Sequence, residues 1–158
     1  MFQFLAPGDY CRGTPESEPI LTVLGSCISV VLWDNYKGIF VMCHYLLLEA
    51  GTQDDETPGR YGKEILPHFF SFFKSKGLRG PDLNAYIVGG AFSESASRLP
   101  EELIVGKKNA EYACHLLEQE RVNILHTDVG GECGRRFIYY PQDREYSITY
   151  LDALGGWK

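Results

Sequence analysis

The sequence contains no C-x-x-C pair, no run of basic residues and no long apolar stretch, and each absence removes a class of function. Its five cysteines, Cys11, Cys27, Cys43, Cys114 and Cys133, are odd in number and widely scattered. That pattern argues against a disulfide framework and against a zinc site alike. Lys and Arg form only short pairs such as Lys107-Lys108 and Arg135-Arg136, and the formal net charge is -6. Nothing here attracts phosphate backbones in general, so nucleic acid is not an expected partner. Met1 to Tyr10 begins apolar but has neither a basic leader nor a long apolar centre, so it is not read as a signal peptide. No segment approaches the roughly 20 apolar residues that span a bilayer. The expected setting is the cytoplasm, without membrane insertion.

What remains is an ordinary globular composition of 158 residues, 44% hydrophobic and 23% charged. Residues 1–158 are expected to form one domain, which at this size buries roughly two-thirds of the unfolded surface without a disulfide or metal staple. Ile20 to Leu24, Ile28 to Trp33 and Ile39 to Leu48 read as strands, with turn-formers from Asp34 to Gly38 making a hairpin of the last two. Gly51 to Gly59 reads as an exposed loop, of the kind that often rims a site. Tyr61 to Lys76 carries Tyr61, Ile65, Leu66, Phe69, Phe70, Phe72 and Phe73 at helical spacing, with Gly77 as a C-terminal cap. Pro67 implies that this helix either kinks there or has its regular part start there. Asn84 to Val88, Val122 to Val129, Arg136 to Tyr140 and Tyr146 to Leu151 read as further strands, and Val105 to Glu120 as a second helix. Strands outnumber helices in mixed order, and no internal repeat or linker is visible.

The most informative segment is Leu24-Gly25-Ser26-Cys27, where a glycine and a serine interrupt an apolar strand just before a thiol. Gly25 can take backbone angles that expose the next amides as an oxyanion hole, or the same residues can form only a β-bulge. If the hairpin turn is centred between Asn35 and Tyr36, with a two- or four-residue loop, Cys27 lies directly opposite His44, with Cβ atoms ~5 Å apart. An imidazole there can take the thiol proton. A three- or five-residue loop turns the two side chains to opposite faces instead. Thr22, just upstream, offers a hydroxyl to orient the base, or is a strand residue chosen for packing. His126 and Asp128 alternate as strand ligands do, but two ligands make a weak metal site. The pairs Gly89-Gly90 and Gly130-Gly131 lack the features of a phosphate loop and are read as allowing close backbone packing. Cys43 and Cys114 are read as small buried hydrophobes.

In this order, Leu24-Gly25-Ser26-Cys27, an apolar strand ending Leu32-Trp33-Asp34, Met42-Cys43-His44, Gly59-Arg60-Tyr61-Gly62 and Val88-Gly89-Gly90-Ala91 resemble the CheD family of chemoreceptor glutamine deamidases. Gly106-Lys107-Lys108-Asn109, Asp128-Val129-Gly130-Gly131 and Gly134-Arg135-Arg136 extend the resemblance over most of the chain. It implies catalysis by Cys27, His44 and Thr22, with no metal and no organic cofactor. It implies a layered α/β sandwich of mixed sheets covered by helices, similar to the cysteine hydrolase domain of cytotoxic necrotizing factor toxins. The implied substrates are glutamines in the cytoplasmic helical domains of chemoreceptors, and a CheC-type phosphatase is an implied partner. Two other activities fit the same residues: hydrolysis of receptor glutamyl methyl esters, and a non-catalytic module that regulates the phosphatase. The chain departs from the family pattern at Phe40-Val41, Glu49 and Pro67.

Overall fold

A computed structural model describes residues 1–51 and 57–151; most of the expected loop from Gly51 to Gly59 lies outside the described residues. Among these are nine strands and two α-helices: β1 (Gln3–Phe4), β2 (Tyr10–Gly13), β3 (Ile20–Leu24), β4 (Ile28–Asp34), β5 (Phe40–Tyr45), α1 (Gly62–Lys74), β6 (Leu83–Gly89), α2 (Val105–Gln119), β7 (Asn123–Val129), β8 (Arg135–Tyr140) and β9 (Glu145–Tyr150). They form two mixed sheets, one in the order β1-β3-β8-β9 and one in the order β2-β5-β4-β6-β7. This is the mixed α/β sandwich expected. No helix among the described residues is long and apolar enough to cross a membrane.

Strands β4 and β5 are buried along their whole length, because the five-stranded sheet is covered on both faces. Ile28, Val30 and Leu32, with Val41, Cys43 and Tyr45, pack against Ile65, Leu66, Phe69 and Phe73 of α1 and Ala110, Ala113 and Leu117 of α2. The alternate residues Val31, Trp33, Phe40 and Met42 meet Ile20, Leu24, Phe137 and Tyr139 of the second sheet. Cys43 is fully buried in the helix-side core, and Cys114 packs partly buried beside it. Helix α1 begins at Gly62, so its regular part does not start at Pro67. Pro67 lies on the exposed face, where water can serve the carbonyl that its missing N–H leaves unpaired. The strands β1 and β2 were not expected; they are short and carry no apolar alternation.

The hairpin register differs from the expectation by two residues. Ser29, not Cys27, lies opposite His44, and the four-residue loop is centred between Tyr36 and Lys37. The cause is Asp34, whose buried carboxylate accepts from the amides of Tyr36 at 2.8 Å, Lys37 at 2.6 Å and Ile39 at 3.0 Å. Gly38 closes the loop at φ 71°, a conformation that favours glycine. An even shift preserves the face, so Cys27 and His44 both still point between the sheets.

Antiparallel β6 pairs Ile28 with Gly89, which brings the end of β6 against the Cys27 backbone. A Cβ on Gly89 would come within 2.2 Å of the Cys27 carbonyl oxygen, at φ 122°, whereas one on Gly25 would meet nothing within 4 Å. Gly89→Ala is therefore expected to lower stability by at least the ~1–3 kcal/mol of a strained backbone position. Gly25→Ala should stay within ~0.5 kcal/mol of the parent in the same urea denaturation series.

Candidate active site

Thr22, from the four-stranded sheet, and His44, from the five-stranded sheet, meet across the sandwich. Both are buried, and the Thr22 Oγ1 to His44 Nδ1 distance is 2.7 Å. The same hydroxyl donates to the carbonyl oxygen of Leu5 at 2.7 Å. A threonine hydroxyl has one proton, and the Leu5 carbonyl can only accept, so that proton is committed. Thr22 must accept from His44, which places the imidazole proton on Nδ1 and leaves the Nε2 lone pair bare. Nε2 is buried with no hydrogen-bond partner among the described residues. The His44 backbone is held on both sides, its N–H by the Asp9 carbonyl at 3.1 Å and its carbonyl by the Gly8 amide at 2.8 Å.

Cys27 sits one residue ahead of β4, half-buried, and packs against the core between the sheets that also holds Leu24, Met42 and Val88. Extending the ladder by one residue makes it a diagonal neighbour of His44, a relation for which separations of ~7–8 Å are usual. No thiol–imidazole hydrogen bond forms at rest. Catalytic hydrogen bonds are often long before substrate arrives. Ser29, directly opposite His44, is fully buried, and its hydroxyl also has no partner among the described residues. Sequence reasoning missed it; a serine inside the apolar run Ile28 to Trp33 was the available signal.

Burial sets the electrostatics of both groups. It raises the Cys27 thiol above its ordinary value. It lowers His44 to about 4, against smaller opposing effects of Asp9 and the Leu5 carbonyl. Both shifts favour the uncharged forms, thiol and imidazole. Cys11 and Cys43 are pushed further, to about 12, chiefly by burial.

The backbone around Cys27 is pinned by its carbonyls. Gly25 accepts from the Ala91 amide at 2.9 Å and Cys27 from the Gly90 amide at 2.8 Å. Ser26 accepts from Nδ2 of Asn109 at 3.1 Å. Among the described residues no acceptor takes the amides of Ser26 or Cys27, and this loop is exposed at Gly25 and Ser26. Gly25 itself has no positive φ, so the expectation that unusual backbone angles there present the amides is corrected. The geometry comes from the carbonyl partners, while the missing side chain leaves the approach open.

The other sequence candidates do not join this site. His126 stacks on Tyr146 with centroids 4.7 Å apart, and Asp128 is taken by Arg135 at 3.1 Å and by the Tyr150 hydroxyl. No group of three metal-ligating side chains occurs among the described residues. Gly90 does serve close packing, since a Cβ there would approach the Gly106 carbonyl oxygen to 2.7 Å; Gly130 and Gly131 do not, having open space and φ of 83° and 69°. The second pair is glycine for backbone handedness.

His44 predicts an acid limb to stability. Its folded pKa of about 4 lies below the ordinary ~6.5, so between these values the unfolded chain binds the extra proton and stability rises with pH. The contribution is full above pH ~6.5 and falls away as pH drops toward about 4, by about 3 kcal/mol at most. His44→Gln should flatten that limb in chemical denaturation measured from pH 7 to 4. An unchanged slope would remove the buried neutral imidazole from the account.

Residues 47–150 match the family described as CheD chemotactic sensory transduction. That match begins downstream of Thr22, Cys27 and His44, but individual relatives extend over them. A probable chemoreceptor glutamine deamidase of Shewanella oneidensis is 31% identical over 150 residues, covering 91% of this chain and 73% of its own. The uncovered remainder is shorter than the stretch ahead of Thr22, so the alignment spans all three residues. Proteins of the same description from Trichlorobacter lovleyi and Sulfurimonas denitrificans are 36% and 34% identical, covering 85% and 84% of this chain and 81% and 83% of theirs. With the match covering well over half of its length, this chain belongs to the CheD family.

Proposed function

We propose that this protein hydrolyses glutamine side chains of chemoreceptors to glutamate, with Cys27 as nucleophile, His44 as general base and acid, and Thr22 as the residue that orients His44. The observation that carries the reading is the Thr22 hydroxyl, which fixes the His44 proton on Nδ1 and leaves Nε2 bare on the face that Cys27 shares. The names of the relatives, probable chemoreceptor glutamine deamidases, supply the substrate.

As the Cys27 sulfur attacks the amide carbon of the glutamine, its proton passes to His44 Nε2, and the carbonyl electron pair moves onto oxygen, where backbone amides near Cys27 hold it. The tetrahedral intermediate collapses with cleavage of the C–N bond. His44 gives its proton to the departing nitrogen, leaving ammonia and a thioester. Water, deprotonated by the same Nε2, then breaks the C–S bond to release glutamate and restore the thiol. The cycle is complete without a cofactor.

The two-sheet sandwich with helices on one side supports extending the proposal to the fold of the cytotoxic necrotizing factor hydrolase domain. Action in the cytoplasm and binding of a CheC-type phosphatase belong to the same reading. Cys27→Ala separates catalysis from binding: intact-mass analysis of a purified receptor should show no conversion of carboxamide to carboxylic acid, while partner capture persists. Continued conversion by a folded Cys27→Ala protein would refute the nucleophile. A methylated receptor as second substrate measures the competing esterase activity.

His44→Ala should slow deamidation by at least the ~100-fold typical of a lost acid or base, with binding little changed. Thr22→Val keeps the shape but removes the acceptor that holds Nδ1–H, so the ring is free to take the wrong tautomer. Its kcat should fall by roughly tenfold or more, a smaller loss than for His44→Ala because the imidazole itself remains. Equal rates for Thr22→Val and the parent would leave Thr22 as packing alone.

A further inference from the structure

Three consecutive peptide units flank the Cys27 thiol, and the carbonyl of each is held from elsewhere in the fold. Ala91 N–H holds the Gly25 oxygen and Gly90 N–H holds the Cys27 oxygen, both from the backbone that follows β6. Only the middle unit, Ser26 to Cys27, is held by a side chain, that of Asn109 on α2. Asn109 is buried, and its Nδ2 donates to Ser26 at 3.1 Å and to Leu46 at 2.8 Å. Two carbonyl oxygens can be satisfied only by the amino end of the carboxamide, so its orientation is forced, and both of its hydrogens are used. Leu46 lies two residues beyond His44, so one side chain ties the nucleophile loop to the end of the strand carrying the base.

A trans peptide places its N–H opposite its C=O. Holding the Ser26 carbonyl toward α2 therefore aims the Cys27 amide away from the helix, and among the described residues no acceptor takes that amide. We infer that Asn109 is a positioning residue for deamidation: it orients the Cys27 N–H as the donor to the oxyanion formed when Cys27 attacks. This rests on the reading of Cys27 as nucleophile. Asn109 touches neither substrate nor the reacting atoms.

Two reactions of the same thiol distinguish orientation from general support. Alkylation of Cys27 by iodoacetamide is a displacement at carbon with no oxyanion, whereas deamidation passes through one. Asn109→Ala should lower kcat for receptor deamidation by roughly 10- to 100-fold, toward the loss seen when an oxyanion donor is removed. KM and the rate of Cys27 alkylation, followed by peptide mapping, should stay within a factor of about three of the parent, because substrate contacts and the thiol's surroundings are retained. A matching fall in both reactions would reduce Asn109 to structural support and overturn the inference, as would an unchanged kcat. If Asn109→Ala does not fold by circular dichroism, Asn109→Ser, which keeps a polar group at the buried position, is read by the same two rates. Failure of the nucleophile reading is seen separately, as deamidation surviving in Cys27→Ala.

Discussion

The single proton of the Thr22 hydroxyl is the constraint on which the site depends. Because the Leu5 carbonyl takes it, the imidazole of His44 has only one tautomer that leaves no clash of lone pairs, and that tautomer exposes Nε2. Thr22 belongs to one sheet and His44 to the other, so the imidazole's tautomer is set only when the sandwich has closed. Leu5 follows the two-residue strand β1 and is itself buried in the core between the sheets. A minor edge strand thus has a direct part in the protonation state of the centre.

The second organising fact is that β4 and β5 divide their side chains between two cores. The residues facing the helices are apolar throughout, whereas the face toward the other sheet admits Ser29 and His44 among Val31, Trp33 and Met42. Placing polar groups there costs desolvation, and the Ser29 hydroxyl and His44 Nε2, without partners among the described residues, carry that cost at one spot. Helix α2 serves from the other side: Asn109 reaches past the sheet end to the carbonyls of Ser26 and Leu46 while Ala113 and Leu117 pack beneath.

Much of this was legible in the sequence, for reasons that also mark where legibility stops. Strands β3 to β9 and both helices are long enough for apolar periodicity to show, and Cys27 stands out because glycine and serine break an apolar run before it. The hairpin register was off by two residues because turn-formers define a turn but not its centre; that was decided by three hydrogen bonds to Asp34. The even shift cost the direct pairing of Cys27 with His44 but spared the face, so the two still lie in one layer. The part played by Leu5 is a backbone carbonyl, and no side-chain pattern announces it. Asn109 did have a signal in the residues themselves, as the polar member of a stripe with Gly106, Ala110, Ala113 and Leu117.

The direction of the two pKa shifts bears on when the proton moves. Burial raises the thiol and lowers the imidazole, so each opposes an ion pair at rest. A pre-formed thiolate–imidazolium would need the two groups in contact to offset that cost, and the register leaves them diagonal and unbonded. Under the proposed reading, proton transfer then accompanies attack, when charge leaving sulfur is delivered to a carbonyl oxygen beside an amide already aimed at it. On that reading the scaffold's contribution lies less in activating the thiol beforehand than in holding two fixed dipoles ready, the bare Nε2 and the outward-turned Ser26–Cys27 peptide, with open space above Gly25. Preorganised dipoles of this kind need no rearrangement at the moment of reaction, which is where electrostatic stabilisation exceeds what water can supply.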